Sequence, residues 1–219
     1  SSVFLCRRSV FMYNKWRKNK TEESPMAKKS NRNTRGRIVS AAWKLFYEQG
    51  YEDTTVEEII ELSGTSKGSF YHYFDGKDAL LSTLSSLFDE KYEELTGLLT
   101  PEMTAMEQLL FLNRELFHMI EDSISLDLLA RLYSTQLTTN GEKHLLDHNR
   151  IYYKLLRKII AKGQSEGQLS SRSNVNEMVK LYALCERALL YDWCLCAGEY
   201  ALTEYSAKVL PGFLSSFLP

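Results

Sequence analysis

The sequence predicts an all-α chain of about nine helices, three short ones followed by six longer ones. Three observations carry that prediction. Apolar residues recur at helical spacing (Ile38, Ala41, Ala42, Leu45 and Phe46 first) with no strand-like alternation beside them. Thr54 and Thr55 are each followed three positions later by Glu, the signature of a helix start. Only 4 prolines and 11 glycines punctuate 219 residues, too few for a turn-rich sandwich or barrel.

Taken in order, the first helix is expected to open near Thr34, in "TRGRIVSAAWKLFYEQG", and to close at Gly50. In "YEDTTVEEIIELSG" the paired Thr and Glu residues place a second helix over about Val56 to Leu62. Gly64 breaks it and Ser66 can cap a third immediately. Two short helices joined by a turn of three or four residues containing Gly have the spacing of a helix-turn-helix. Asp75-Gly76 ends the third. Asp75, with Asp78 three residues on, is expected to cap the long segment "KDALLSTLSSLFDEKYEELTGLL". Further helices are expected over about 102–121, 124–138, 142–166, 174–199 and 203–217. The breaks fall at Pro101, Asn140-Gly141, the stretch from Gly163 to Asn174, and Gly198.

No run approaches 18 apolar residues, so no membrane span is expected. Four cysteines (Cys6, Cys185, Cys194, Cys196) do not make a disulfide framework, and Cys194 and Cys196 fall on different faces of a helix. The expectation is a reduced, cytoplasmic protein with no metal and no cofactor. Charge is unevenly placed. Residues 1–37 carry eleven Lys and Arg against two Glu, and the remainder sixteen against twenty-six. A basic arm on an acidic body suggests an electrostatic partner for one end of the chain. Residues 1–33 are read as a basic, disordered extension, 34–84 as the helix-turn-helix domain and 85–219 as a larger helical domain. Met26, followed by "AKKSN", looks like a natural start.

The stretch "GTSKGSFYHYF" (64–74) lies at the helix-turn-helix. Phe70 and Phe74 are four apart and share an inward face with Ile38, Phe46 and Ile59. Ser66, Lys67, Ser69, Tyr71, His72 and Tyr73 cannot all be on that face. A recognition helix needs short side chains near its N-terminus so that its backbone can approach base edges, and Thr65, Ser66 and Gly68 supply them. Lys67 can reach guanine acceptors or a phosphate, and Tyr71, His72 and Tyr73 offer donors for the DNA backbone. Thr54 and Thr55 start one helix and Lys77 another, and helix N-termini with a hydroxyl or ammonium added are phosphate sites.

Together, "TTVEEIIELSGTSKGSFYHYFDGKDALL" and the exit spacing Phe74, Lys77, Leu80 resemble the DNA-binding domain of the TetR (tetracycline repressor) family, from about Thr34 to Leu84. That resemblance implies DNA contact by Thr55, Thr65, Ser66, Lys67, Gly68, Ser69, Tyr71, His72, Tyr73 and Lys77. It also matches Lys28, Lys29, Arg32, Arg35 and Arg37 to a basic arm before the first helix. Gly64-Thr65 departs from the Ala-Gly-Val-like turn common in the family. The implied function is a transcriptional repressor, released from a palindromic operator on double-stranded DNA by a small-molecule effector.

The C-terminal body is rich in aromatics at helical positions, the ordinary filling of a bundle. A family-consistent pocket would draw on Phe88, Tyr92, Asn113, Phe117, His118, Tyr133, Tyr153 and Trp193. The last two helices are apolar on more than one face and are expected to form a homodimer seam that includes Ala188 and Leu189. There is no phosphate loop, zinc helix or nucleophile elbow, so no catalytic residue is assigned. A helical protein-binding adaptor and a small-molecule-binding or catalytic bundle are the competing readings, and a gel shift separates both from the regulator.

Overall fold

The computed structural model describes residues 29–138 and 143–219, with side chains from Thr34 onward. Every regular element among them is helical: α1 (Lys29–Glu48), α2 (Val56–Ser63), α3 (Lys67–Tyr73), α4 (Lys77–Leu81), α5 (Thr83–Thr96), α6 (Ala105–Ser123), α7 (Leu126–Thr138), α8 (Ile151–Ser165), α9 (Val175–Leu195) and α10 (Leu202–Leu214). Short 3-10 turns cover His144–Leu146 and Ser215–Phe217. The chain divides into two compact units between Leu84 and Ser85.

In the first unit α1 packs on α2 and α3. Ile38, Phe46, Ile59, Phe70, Phe74 and Leu80 are buried together as its core. The Trp43 indole donates to the Thr83 hydroxyl at 2.8 Å, both buried. Thr55 is the N-cap of α2 and exchanges bonds with Glu58 in a complete capping box. The α2 chain end turns at Gly64, whose φ of 59° is left-handed and suits glycine. Ser66 caps α3 by accepting from the Ser69 N–H.

Several boundaries differ from expectation. α1 starts at Lys29, five residues before Thr34. Asp75 does not cap the following helix: Gly76 holds the N-cap position and makes no side-chain bond. The long helix expected from Lys77 is interrupted at Ser82. There the Ser82 hydroxyl donates to the Ala79 carbonyl and the Thr83 hydroxyl to the Leu80 carbonyl, each at 2.6 Å. Two successive hydroxyls competing for helix carbonyls loosen the turn. This break makes the described helices ten rather than nine.

In the second unit α6 packs against α8 and α10, and α9 against α7, α8 and α10. Thr104 and Glu107 form a second capping box at the start of α6. α10 is capped from outside itself: the Glu121 carboxylate on α6 accepts the Leu202 and Thr203 N–H groups. The helix expected from 142 begins only at Ile151, after the 3-10 turn and an Asp147 side chain that holds the Asn149 N–H at 2.8 Å. Asn140-Gly141, Cys6 and residues 1–28 lie outside the described residues. Among the described residues no helix is long and apolar enough to cross a membrane.

Candidate functional site

α3 presents a hydroxyl-rich end and an outward aromatic ridge. The Ser66 and Ser69 hydroxyls are 2.9 Å apart, and the Thr65 hydroxyl lies 2.7 Å from that of Ser63. Behind them Phe70 and Phe74 are buried against one another, with ring centroids 6.0 Å apart. Lys67, Tyr71 and His72 are exposed and Tyr73 is half-buried. Lys67 approaches Glu57 at 3.9 Å, but both side chains are largely solvated, so the contact does not hold the ammonium. At Gly68 an added Cβ would meet only the Ser66 hydroxyl, at 4.0 Å, and φ is not left-handed. Neither packing nor backbone conformation requires glycine there. Its use is to keep the surface of α3 low.

Two residues expected in this set face elsewhere. Thr54 is 1% exposed and its hydroxyl donates to the Gly50 carbonyl at 2.7 Å. The Lys77 ammonium donates to the carbonyls of Tyr51 (2.7 Å), Thr54 (2.9 Å) and Glu52 (3.3 Å), and sits 4.3 Å from the Tyr51 ring centroid. An ammonium has three hydrogens, so Lys77 is committed to the turn before α2. The arm residues Arg35 and Arg37 belong to α1. Arg37 donates to the Ser63 carbonyl and, at 2.6 Å, to that of Gly64, placing a cation on the C-terminus of α2. Arg35 lies 5.4 Å over the Phe74 ring. Those partners are 26 to 39 residues away in sequence, beyond any local pattern. Thr55, Thr65, Ser66, Lys67, Gly68, Ser69, Tyr71, His72 and Tyr73 remain around the outward surface. Residues 34–84 carry five Lys and Arg against eight Asp and Glu, so this unit is acidic without the segment before it.

In the second unit a small cavity of about 50 Å³, partly open to solvent, is lined by Phe88, Tyr92 and Tyr133 of the candidate pocket residues, and by Tyr152, Glu186 and Arg187, which were not among them. Glu186 is 3% exposed. Its carboxylate accepts from the Tyr152 hydroxyl at 2.6 Å and from the Asn113 amide at 2.9 Å. The Ser206 hydroxyl donates to the Asn113 carbonyl oxygen, which fixes the amide orientation. Burial pushes the Glu186 carboxyl above its ordinary range, while the hydrogen bonds from Tyr152 and Asn113 and the nearby Arg187 pull it back. Tyr92 is buried and, among the described residues, its hydroxyl has no hydrogen-bond partner. Arg150 is held by Asp89 at 2.9 and 3.0 Å and by the Ser85 carbonyl.

The other expected pocket residues are placed differently. Phe117 and Trp193 are core, and Trp193 donates to the Tyr200 carbonyl. Tyr153 is buried with its hydroxyl on the Leu145 carbonyl, and Asn113 stands behind Glu186, lining not this cavity but a larger open one of about 590 Å³ with Phe111, Arg114 and Ser206. His118 is exposed and pairs with Asp122 at 3.4 Å. A signal for Glu186 was available in "YALCERALLYDW": its position repeats with Tyr182, Leu189 and Trp193 on the apolar face of α9.

α9 also carries an outward apolar stripe. Leu184 (52% exposed), Ala188, Tyr191 (45%) and Leu195 (66%) recur at i, i+4, i+7 and i+11. Leu189, expected in the seam, is instead buried within its own chain.

Residues 38–84 match the family model described as "Bacterial regulatory proteins, tetR family". An uncharacterized HTH-type transcriptional regulator in the lacX 3' region of Lactococcus lactis is 39% identical over 56 residues, which cover 25% of this chain and 29% of that protein. The chain therefore matches less than a third of that relative's length. The fatty acid metabolism regulator protein of Bacillus subtilis is 23% identical over 177 residues, covering 79% of this chain and 90% of that one. The crystal structure of Thermus thermophilus FadR, a TetR-family transcriptional repressor in complex with lauroyl-CoA, superposes with a TM-score of 0.69 at 26% identity, covering 84% and 95%. The class is thus an all-helical fold with a helix-turn-helix unit that matches the TetR family of bacterial regulatory proteins over residues 38–84, and the chain is similar in fold to solved TetR-family structures.

Proposed function

We propose that the protein is a homodimeric repressor that reads a palindromic operator through α3 and releases it when a small molecule enters the second unit. The observation that carries this reading is the α3 surface: short hydroxyl side chains and an unneeded glycine at one end, exposed rings and a solvated lysine beside them, over a buried Phe70–Phe74 pair. A palindrome fits a two-fold dimer with recognition helices about 34–36 Å apart, and the apolar stripe on α9 is the surface that such a dimer would cover. Relatives that carry acyl-CoA support a small-molecule effector. A ligand acts only through its differential affinity for two states, and coupling of about 1–3 kcal/mol lowers DNA affinity roughly 5- to 150-fold. Enrichment of bound sequences from random duplex DNA, followed by gel shift, tests the reading. Failure to enrich any site would refute it.

Two substitutions on α3 are expected to behave differently. Lys67→Ala should lose discrimination at particular base pairs, by about 1–3 kcal/mol each, whereas Tyr71→Ala should weaken operator and random DNA alike. Affinity measured on a panel of single-base operator variants decides it, and a uniform loss for Lys67→Ala would move that residue to backbone contact. Gly68→Ala should leave the fold intact, or raise its stability by up to about 1 kcal/mol, because alanine favours helix and its Cβ meets nothing closer than 4.0 Å. The same change should weaken operator binding at least about tenfold by holding the helix away from the bases. Unchanged binding in a gel shift would mean the backbone of α3 does not come close to DNA.

A further inference from the structure

We propose that Glu186 and Tyr92 form the recognition end of the effector cavity, and that the group they receive is an ammonium or other nitrogen cation carried on an apolar body. The inference rests on the preceding reading only in treating the cavity's ligand as the effector. Glu186 is a carboxylate placed among the rings of Phe88, Tyr92, Tyr133 and Tyr152 at one cavity wall. Both of its hydrogen-bonding neighbours present hydrogens to it. Tyr152 gives its O–H, and Asn113 must turn its NH₂ inward because Ser206 occupies its carbonyl oxygen. The network therefore holds an acceptor.

Among the described residues no side chain makes an ion pair with Glu186. Arg150 is spent on Asp89, and Arg187, whose charge steadies the carboxylate only from a distance, turns its guanidinium to the Tyr153 hydroxyl at 3.2 Å. A buried carboxylate without an ion pair is costly, and a ligand cation relieves that cost more than any neutral group does. The surrounding ring faces attract the same cation.

Tyr92 is the second, independent sign. Its hydroxyl is fully buried on the cavity wall and makes no hydrogen bond among the described residues, although buried groups of this kind are nearly always satisfied. An ammonium has hydrogens for the Glu186 carboxylate and the Tyr92 oxygen at once. A carboxylate head has no hydrogen to offer, and a thioester carbonyl has none either, so neither satisfies Glu186. The volume of about 50 Å³ suits the head group alone, so the apolar body must extend past Leu145 and Leu190.

The test uses the full chain without DNA and three probes of one chain length: hexylamine, 1-hexanol and hexanoate, with lauroyl-CoA as a fourth. Calorimetric titration should show hexylamine binding at least tenfold more tightly than 1-hexanol or hexanoate. Glu186→Gln should abolish that preference, and should leave any binding of lauroyl-CoA unchanged. Tyr92→Phe should weaken hexylamine several-fold without lowering the melting temperature, since the lost hydroxyl holds nothing in the free protein. Equal or tighter binding of 1-hexanol or hexanoate, or a preference that survives Glu186→Gln, overturns the proposal. Should Glu186→Gln fail to fold, Tyr92→Phe decides, and unchanged hexylamine affinity in that variant overturns it as well. Because DNA is absent, a protein that passes here yet enriches no DNA keeps the site and loses only the regulator reading.

Discussion

Leu184→Glu is expected to convert the protein from dimer to monomer and to reduce its affinity for a full palindrome at least about 100-fold, since half of the site can then no longer be held. Leu184 is more than half exposed in the single chain and lies in register with Ala188, Tyr191 and Leu195 along α9. Four such positions on one helix make an apolar strip of the kind that marks an interface. A glutamate placed there is solvated in the monomer and becomes an unpaired buried charge only on association, so its cost falls on the dimer. Ala188→Glu should act in the same way. Leu189→Glu should not: that side chain is in the core, and the variant should unfold, with a loss above about 4 kcal/mol. Sedimentation velocity with near-ultraviolet dichroism separates the two outcomes. A folded Leu184→Glu protein that still sediments as a dimer would put the interface elsewhere.

DNA affinity should fall about 1,000-fold between 50 and 200 mM salt, if a dimer neutralises about six phosphates and log K declines with a slope near −5. The structure sharpens the source of those contacts. Residues 34–84 are net acidic, Lys77 and Arg37 are bound to carbonyls of their own unit, and Lys67 stands out as the solvated lysine of α3. The positive charge left for phosphate lies mainly in residues 1–33, with nine Lys and Arg against two Glu. Removing residues 1–28 should therefore flatten the salt slope by several units while sparing base preference, because base edges are read by α3. A truncated protein with an unchanged slope would return the phosphate contacts to the helical unit.

Which parts were legible in the sequence follows from where the determining interactions lie. α2 could be placed because Thr55 and Glu58 are three residues apart, and a capping box is a local device. The inward pair Phe70 and Phe74 followed from helical spacing alone. Lys77 reads as a phosphate ligand by position, and its true partners, the carbonyls of the turn at 51–54, are visible only once α1 and α4 are folded together. Thr54 and Thr55 carry the same apparent signal, and only the buried turn distinguishes them. In the second unit the aromatics pointed to a cavity but not to its polar end. Glu186 is held by Asn113 and Tyr152, 73 and 34 residues away, and such a network has no local signature.

The commitment of Lys77 bears on how this unit could be divided or transplanted. A fragment ending after α3 would contain both helices of the helix-turn-helix, yet its 51–54 turn would have three carbonyls without their donor and Trp43 would have no hydroxyl to meet. The smallest self-sufficient piece must therefore run through Thr83. Any chimera that grafts this DNA reader onto another effector body should make its junction beyond that residue, and a lysine-modifying enzyme that neutralised Lys77 would act on the architecture of the turn rather than on a protein–DNA contact.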